Sequence, residues 1–121
     1  MSKRILVVED QEDSRQIVRD LLTANDYEMT EAENGEEALA AVVKDRPDLI
    51  LMDIQLPVLD GYEATRRIKA DPALSSIPVI AVTSYALSGV EEKARAAGCN
   101  DFVPKPYSPR QLLAKIRQYL P

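Results

Sequence analysis

Histidine is absent from this chain. Its absence excludes Ser-His-Asp and Cys-His catalytic pairs, histidine metal sites and any role as a histidine phosphocarrier. Cysteine occurs once, at Cys99, so no internal disulfide forms and a reducing cytoplasm fits. No apolar run approaches the ~20 residues of a membrane span. The early run Ile5-Leu6-Val7-Val8 is too short for a signal-peptide core. A basic excess is missing as well. Twenty acidic against fifteen basic residues leave a net charge of -5, with no bulk attraction to nucleic acid or anionic lipid. Repeats, low-complexity tracts and Gly/Ser linkers are also lacking, so residues 1–121 read as one domain. With 45% apolar residues the chain is no disordered tail, and it can build a core without disulfides or a structural metal.

What is present is alternation. Short, β-branched apolar runs fall at Ile5–Val8, Tyr27–Ala32, Leu49–Met52, Pro78–Val82 and Asp101–Val103. Stretches with helical spacing lie between them. Ile17, Val18, Leu21 and Leu22 are expected to share one face, as are Ala38, Leu39, Val42 and Val43, then Leu112, Leu113 and Ile116. Asn34 before Gly35-Glu36-Glu37 reads as an N-cap with an acidic third position. Ser108-Pro109-Arg110-Gln111 reads as a capping serine, an N1 proline and a back-bonding glutamine. Gly98 stands where a helix through Ala97 needs a left-handed stop. Five strands alternating with helices imply an α/β fold of three layers, with a parallel sheet covered on both faces. The second run, interrupted by Glu28, Thr30 and Glu31, suits an edge. Right-handed crossovers then favour the strand order 2-1-3-4-5, with sites at the carboxyl ends of the strands.

Those ends carry the chemistry. The first strand runs into Glu9-Asp10, the third stops at Asp53, the fourth at Thr83-Ser84, and the fifth run leads to Lys105-Pro106. Neighbouring first and third strands would bring three carboxylates together. Like charges in one crevice repel, and a hard divalent cation resolves the conflict. Carboxylate oxygens with no histidine or cysteine nearby suit Mg2+. Taken singly, each acid is an ordinary exposed loop carboxylate; all three directly behind apolar strands point to a shared site. A metal held by few carboxylates commonly has a phosphate as its remaining partner. Lys105 brings a compact positive charge and Thr83 a hydroxyl to the same crevice. Asp53, on the central strand, is the nucleophile candidate for an aspartyl phosphate.

In these residues the chain resembles the receiver domain of two-component response regulators. The resemblance spans nearly the whole chain, from about Lys3 to Tyr119. It rests on Glu9-Asp10, Asp48–Asp53, Leu56–Gly61, Pro78–Thr83 and Lys105-Pro106, in order and at family spacing. In pattern it is most similar to stand-alone receivers of phosphorelays and cell-cycle control, so a receiver with no output domain is expected, the alternative being a receiver cut from a longer chain. The resemblance implies a flavodoxin-like (βα)5 fold. It implies that Asp53 is phosphorylated by a histidine kinase or a histidine phosphotransfer protein. Asp10, Asp53 and the backbone carbonyl of Gln55 would ligate Mg2+, with Glu9 acting through a metal-bound water. Thr83 and Lys105 would contact the phosphoryl group, and the Lys105–Pro106 bond would be cis. Phe102 would be the switch ring, filling space vacated as Thr83 moves, while Gln55 and Tyr85 would tune phosphoryl lifetime. Output would run to a protein target through the face of the fourth helix, fifth strand and fifth helix. Such a domain is regulatory rather than an enzyme, although it takes part in its own phosphoryl transfer and autodephosphorylation.

Glu-Asp stands where many receivers carry Asp-Asp, and Phe102 lacks the hydroxyl of a tyrosine switch. Two rivals on related chemistry fit less well. Aspartyl-phosphate hydrolases need Asp-x-Asp-x-Thr, but Asp53 is followed by Ile54-Gln55. A flavin module needs a Ser/Thr/Gly-rich phosphate loop, whereas four acids in five residues follow the first strand. A pseudo-receiver that has lost phosphorylation would not keep all five positions filled. Cys99 reads as a small apolar residue, half-buried and unreactive. Tyr107 either caps the core or joins a partner surface with Val90, Glu91, Lys93 and Arg95.

Overall fold

The computed structural model describes residues 2–83 and 89–121. In chain order the elements are β1 Arg4–Val8, α1 Glu12–Ala24, β2 Glu28–Ala32, α2 Gly35–Lys44 and β3 Leu49–Asp53. There follow α3 Gly61–Ala70, β4 Val79–Thr83, α4 Val90–Ala97, β5 Asp101–Pro104 and α5 Pro109–Tyr119. The strands form one parallel sheet in the order β2-β1-β3-β4-β5. Fold class and strand order are those expected from the sequence.

Period-two alternation divides the core into two halves. Leu6, Val8, Ile50, Met52, Val79 and Ala81 point to one face, where Ala38 and Val42 of α2, Ala64 and Ile68 of α3, and Ala94 of α4 cover them. Ile5, Val7, Leu49, Leu51, Ile80 and Val103 point to the other, under Val18 and Leu22 of α1 and Leu112 and Ile116 of α5. Each large aliphatic side chain so buried contributes about 1.5–3 kcal/mol. β1, β3 and β4 are therefore apolar except for Arg4 at the start of β1 and for Asp53 and Thr83 at the ends of β3 and β4, while β2, at the edge, exposes Glu28 and Glu31.

Two expected core positions are corrected. Ile17 is 58% and Val43 75% exposed. Only one stripe of each helix reaches the sheet, and Val18–Leu22 and Ala38–Val42, at i and i+4, fill it. Ile17 and Val43 sit about 100° around the helix from that stripe. β2 begins at Glu28 rather than Tyr27, whose hydroxyl donates to the Leu120 carbonyl at 3.2 Å.

The helix ends follow the local sequence. Asn34 accepts from the Glu37 N–H at 2.9 Å, Ser108 and Gln111 form a full capping box, and Gly98 takes φ 109°. Asp60 caps α3 in the same way, accepting from the Glu63 N–H at 2.9 Å. Gly61, just behind it, has no left-handed backbone, yet only glycine fits there. A Cβ would overlap the Asp53 carbonyl oxygen and come 2.8 Å from the Ile54 Cα. Gly61→Ala is expected to cost about 1–3 kcal/mol in urea unfolding, as overpacking against immovable backbone does. Wild-type stability in that variant would show slack in the loop after β3.

Candidate functional site at the carboxyl ends of the strands

β1 and β3 are adjacent, and Val8 pairs with Met52, so Glu9-Asp10 and Asp53 leave the sheet side by side. One carboxylate oxygen from each of Glu9, Asp10 and Asp53 lies within 4.8 Å of the others. Glu9 and Asp53 are buried, and Asp10 is exposed. Lys105 arrives from beyond β5, on the opposite side of β3 from β1. Its Nζ lies 2.6 Å from Glu9 Oε1 and 3.7 Å from Asp53 Oδ2. The lysine backbone is fixed by its N–H donating to the Thr83 carbonyl at 2.6 Å, and the Lys105–Pro106 bond is cis. Asp53 Oδ1 accepts from the Gln55 N–H at 3.0 Å, and Glu9 Oε2 from the Gln11 N–H at 3.4 Å.

The charges are unequal. Burial and hydrogen bonding with Glu9 push the Asp53 carboxyl up to about 7, against the Gln55 N–H and Lys105, which favour the carboxylate. Burial also opposes ionisation of Glu9, but hydrogen bonds with Asp53 and Lys105 and the lysine charge outweigh it and hold Glu9 near 2. Asp10 is raised by burial and by Glu9. Without a cation, then, Glu9 is ionised beside Lys105, and Asp53 holds its proton up to about pH 7. An all-oxygen donor set of three crowded acids fits a hard divalent ion. The cleft between Glu9, Asp53, Val82, Lys105 and Tyr107 encloses about 20 Å3. That is room for about one water-sized group.

Thr83 ends β4 as a fully buried residue. Phe102, on β5, is half-buried and packs against the α2–α3–α4 side of the core. Cys99 is buried more deeply than its sequence suggested, its Sγ 3.8 Å from Thr65 Oγ1. Tyr107 packs against the α1–α5 side and lines the cleft. Ser84 and Tyr85 lie outside the described residues. Sequence reasoning missed Arg15, a buried guanidinium that donates to the Glu9 carbonyl at 2.7 Å. Its one local acid partner, Glu12, makes an ordinary i,i+3 pair; the acids that accompany its burial, Glu31 and Glu33, come from β2 and the turn beyond it.

A doubly wound sheet with a buried aspartate ending its central strand, an acid pair on one side and a lysine on the other, defines a receiver module. The chain belongs to the response regulator receiver domain family, whose model matches residues 5–117. It is similar to the polar-differentiation response regulator DivK of Brucella anthropi, 46% identical over 120 residues, covering 99% of this chain and 98% of the relative. DivK of Brucella ovis is 44% identical with the same coverage. Among solved structures, the receiver domain of a Pseudomonas aeruginosa sensor histidine kinase superposes with a TM-score of 0.92 at 36% identity, covering 99% and 98% of the two chains. That domain was crystallised with a magnesium ion coordinated in its active-site cleft. The chemotaxis response regulator CheY4 of Vibrio cholerae gives 0.92 at 28% identity, covering 98% and 99%. The chain is thus a regulatory receiver of two-component signalling. No helix among the described residues is long and apolar enough to cross a membrane.

Proposed function

We propose that Asp53 accepts a phosphoryl group from a phosphohistidine on a histidine kinase or a histidine phosphotransfer protein, in a reaction that requires Mg2+. The observation that carries this reading is the convergence of Glu9, Asp10 and Asp53 with Lys105 around the end of the central strand. An Asp53 carboxylate oxygen attacks phosphorus as the P–N bond to the imidazole breaks, and the departing imidazole takes up a proton. The product is an aspartyl phosphate, which water later hydrolyses back to the carboxylate and inorganic phosphate. Asp10, Asp53 and the Gln55 backbone carbonyl would hold the ion, with Glu9 behind a bound water. When bound, Mg2+ supplies charge neutralisation for the phosphoryl oxygens and for the crowded acids. Lys105 stays within reach of both Glu9 and Asp53, and pairs with the incoming phosphoryl oxygens. Thr83, at the neighbouring strand end, offers its hydroxyl to them.

Output is proposed to run through α4, β5 and α5 to a protein target. An open groove beside β5, lined by Phe102, Pro104, Pro106, Gln111, Lys115 and Gln118, gives that face a concave feature. Phe102 belongs both to this groove and to the core, so a shift at Thr83 has a short route to the surface. This reading places the chain in the cytoplasm, beside the kinase domain that would supply it. The test is incubation with a small acyl phosphate and Mg2+, followed by intact mass. One phosphoryl group per chain is expected, and none with chelator present. Equal labelling with chelator would defeat the metal-dependent reading.

A further inference from the structure

The acid pair is launched from a turn whose backbone is held from two sides. The Glu9 N–H donates to the Ala32 carbonyl at 3.0 Å, continuing the β1–β2 ladder one step past its last residue pair. The Glu9 carbonyl points to the same side, since both groups of one strand residue do. The next donor in a parallel ladder would be the N–H of residue 34, but Asn34 has left the strand to cap α2. Arg15 takes that place: its Nη1 donates to the Glu9 carbonyl at 2.7 Å.

The guanidinium is itself held in one pose. Its side chain is 8% exposed, with Nε 3.1 Å from Glu31 and Nη2 3.2 Å from Glu33 and bonded to Glu12. Four acceptors from β2, α1 and two turns thus fix one planar fork. A lysine ammonium could not serve them together. The carbonyl of Glu9 and the N–H of Asp10 share one rigid peptide plane. Fixing the first therefore fixes the direction in which Asp10 leaves the chain.

We infer that Arg15 is a positioning residue for the acid cluster: by completing the ladder at the Glu9 carbonyl, it keeps the Asp10 and Glu9 carboxylates in register with Asp53 for divalent-cation binding. The inference rests on reading the cluster as a Mg2+ site, and it carries a sign opposite to simple electrostatics. Removing a cation beside a metal site should tighten Mg2+ binding by Coulomb's law. Losing a group that orients the ligands should weaken it, by roughly tenfold for partners behind a metal's ligands.

Mg2+ titration of wild type, Arg15→Lys and Arg15→Met, followed by calorimetry and by intrinsic tyrosine fluorescence, to which Tyr107 in the cleft contributes, separates the two. Thermal unfolding in chelator runs alongside. A Kd raised roughly tenfold in both variants is expected, in Arg15→Met despite its lost charge. A Kd unchanged from wild type, or lower, in either folded variant would overturn the inference, even with a lowered melting temperature. Should Arg15→Met fail to fold, the charge-conserving Arg15→Lys decides alone. Wild type that binds no Mg2+ would defeat the metal reading and this inference with it. Wild type that binds beside unaltered variants defeats only the role of Arg15.

Discussion

Asp53→Asn is expected to take up no phosphoryl group from an acyl-phosphate donor under conditions that label wild type completely. Asparagine has the same shape and keeps an oxygen where Asp53 Oδ1 accepts from the Gln55 N–H at 3.0 Å, so β3 and its loop have no reason to move. What disappears is the nucleophile. Losing the nucleophile of a covalent mechanism has cost about 10^6-fold in rate, which places the variant at background in an intact-mass assay. The two other acids are poor substitutes. Glu9 is buried and committed to Lys105 at 2.6 Å, and Asp10 lies exposed at the rim. Labelling of Asp53→Asn at the wild-type level would move the acceptor to one of them. Peptide mapping of the labelled variant would show which.

Asp53 was legible because the signal is local: an apolar run stops at an acid, and neighbouring runs stop at acids, a threonine and a lysine. The order of the strands follows from the same runs and from the handedness of their crossovers. The caps at Asn34 and Ser108 and the stop at Gly98 are equally local. The failures belong to tertiary context. Ile17 and Val43 carry the right residue type for a core stripe, and only the width of sheet beneath each helix decides that they face outward. Val58 adopts φ 68°, an uncommon region for a β-branched residue, and no neighbour in the sequence announces it. Arg15 reads as one more basic residue on a helix. Its burial depends on Glu31 and Glu33, which only the β1–β2 pairing brings beside it. The unequal charges inside the acid cluster were hidden for the same reason. They depend on the burial of Asp53 and its hydrogen bond with Glu9, and on Lys105 standing closer to Glu9 than to Asp53.

That inequality predicts a pH dependence. Free of metal, the protein is expected to lose stability as pH rises from about 5 to about 8. Burial and Glu9 raise the Asp53 carboxyl to about 7 from an ordinary value of 3.8. Between those values the folded chain holds a proton that the unfolded chain has released, so stability falls with rising pH. The contribution is fully present below 3.8 and is lost as pH passes through about 7. At about 1.36 kcal/mol per pH unit this interval amounts to on the order of 4 kcal/mol. Asp10, also raised, acts in the same direction. Glu9, held low, acts in the opposite sense, but its stabilisation is lost only as pH falls below 4.5, outside this window. Lys105 and Tyr107, both raised, titrate above it. Asp53→Asn removes the titrating carboxyl. It should match wild type only below about 3.8, exceed it by about 1–2 kcal/mol near pH 5 and by about 4 kcal/mol near pH 8, and show a flatter profile between. Saturating Mg2+ should restore wild type at the alkaline end, because the ion favours the ionised carboxylates that the empty crevice disfavours. Urea unfolding in chelator at both pH values, with and without the substitution, checks this. Wild type that is as stable at pH 8 as at pH 5 would mean that Asp53 is already ionised without metal, with Lys105 its partner in place of Glu9. The acceptor carboxylate is thus expected to be a source of strain in the resting fold, relieved when a cation enters the crevice.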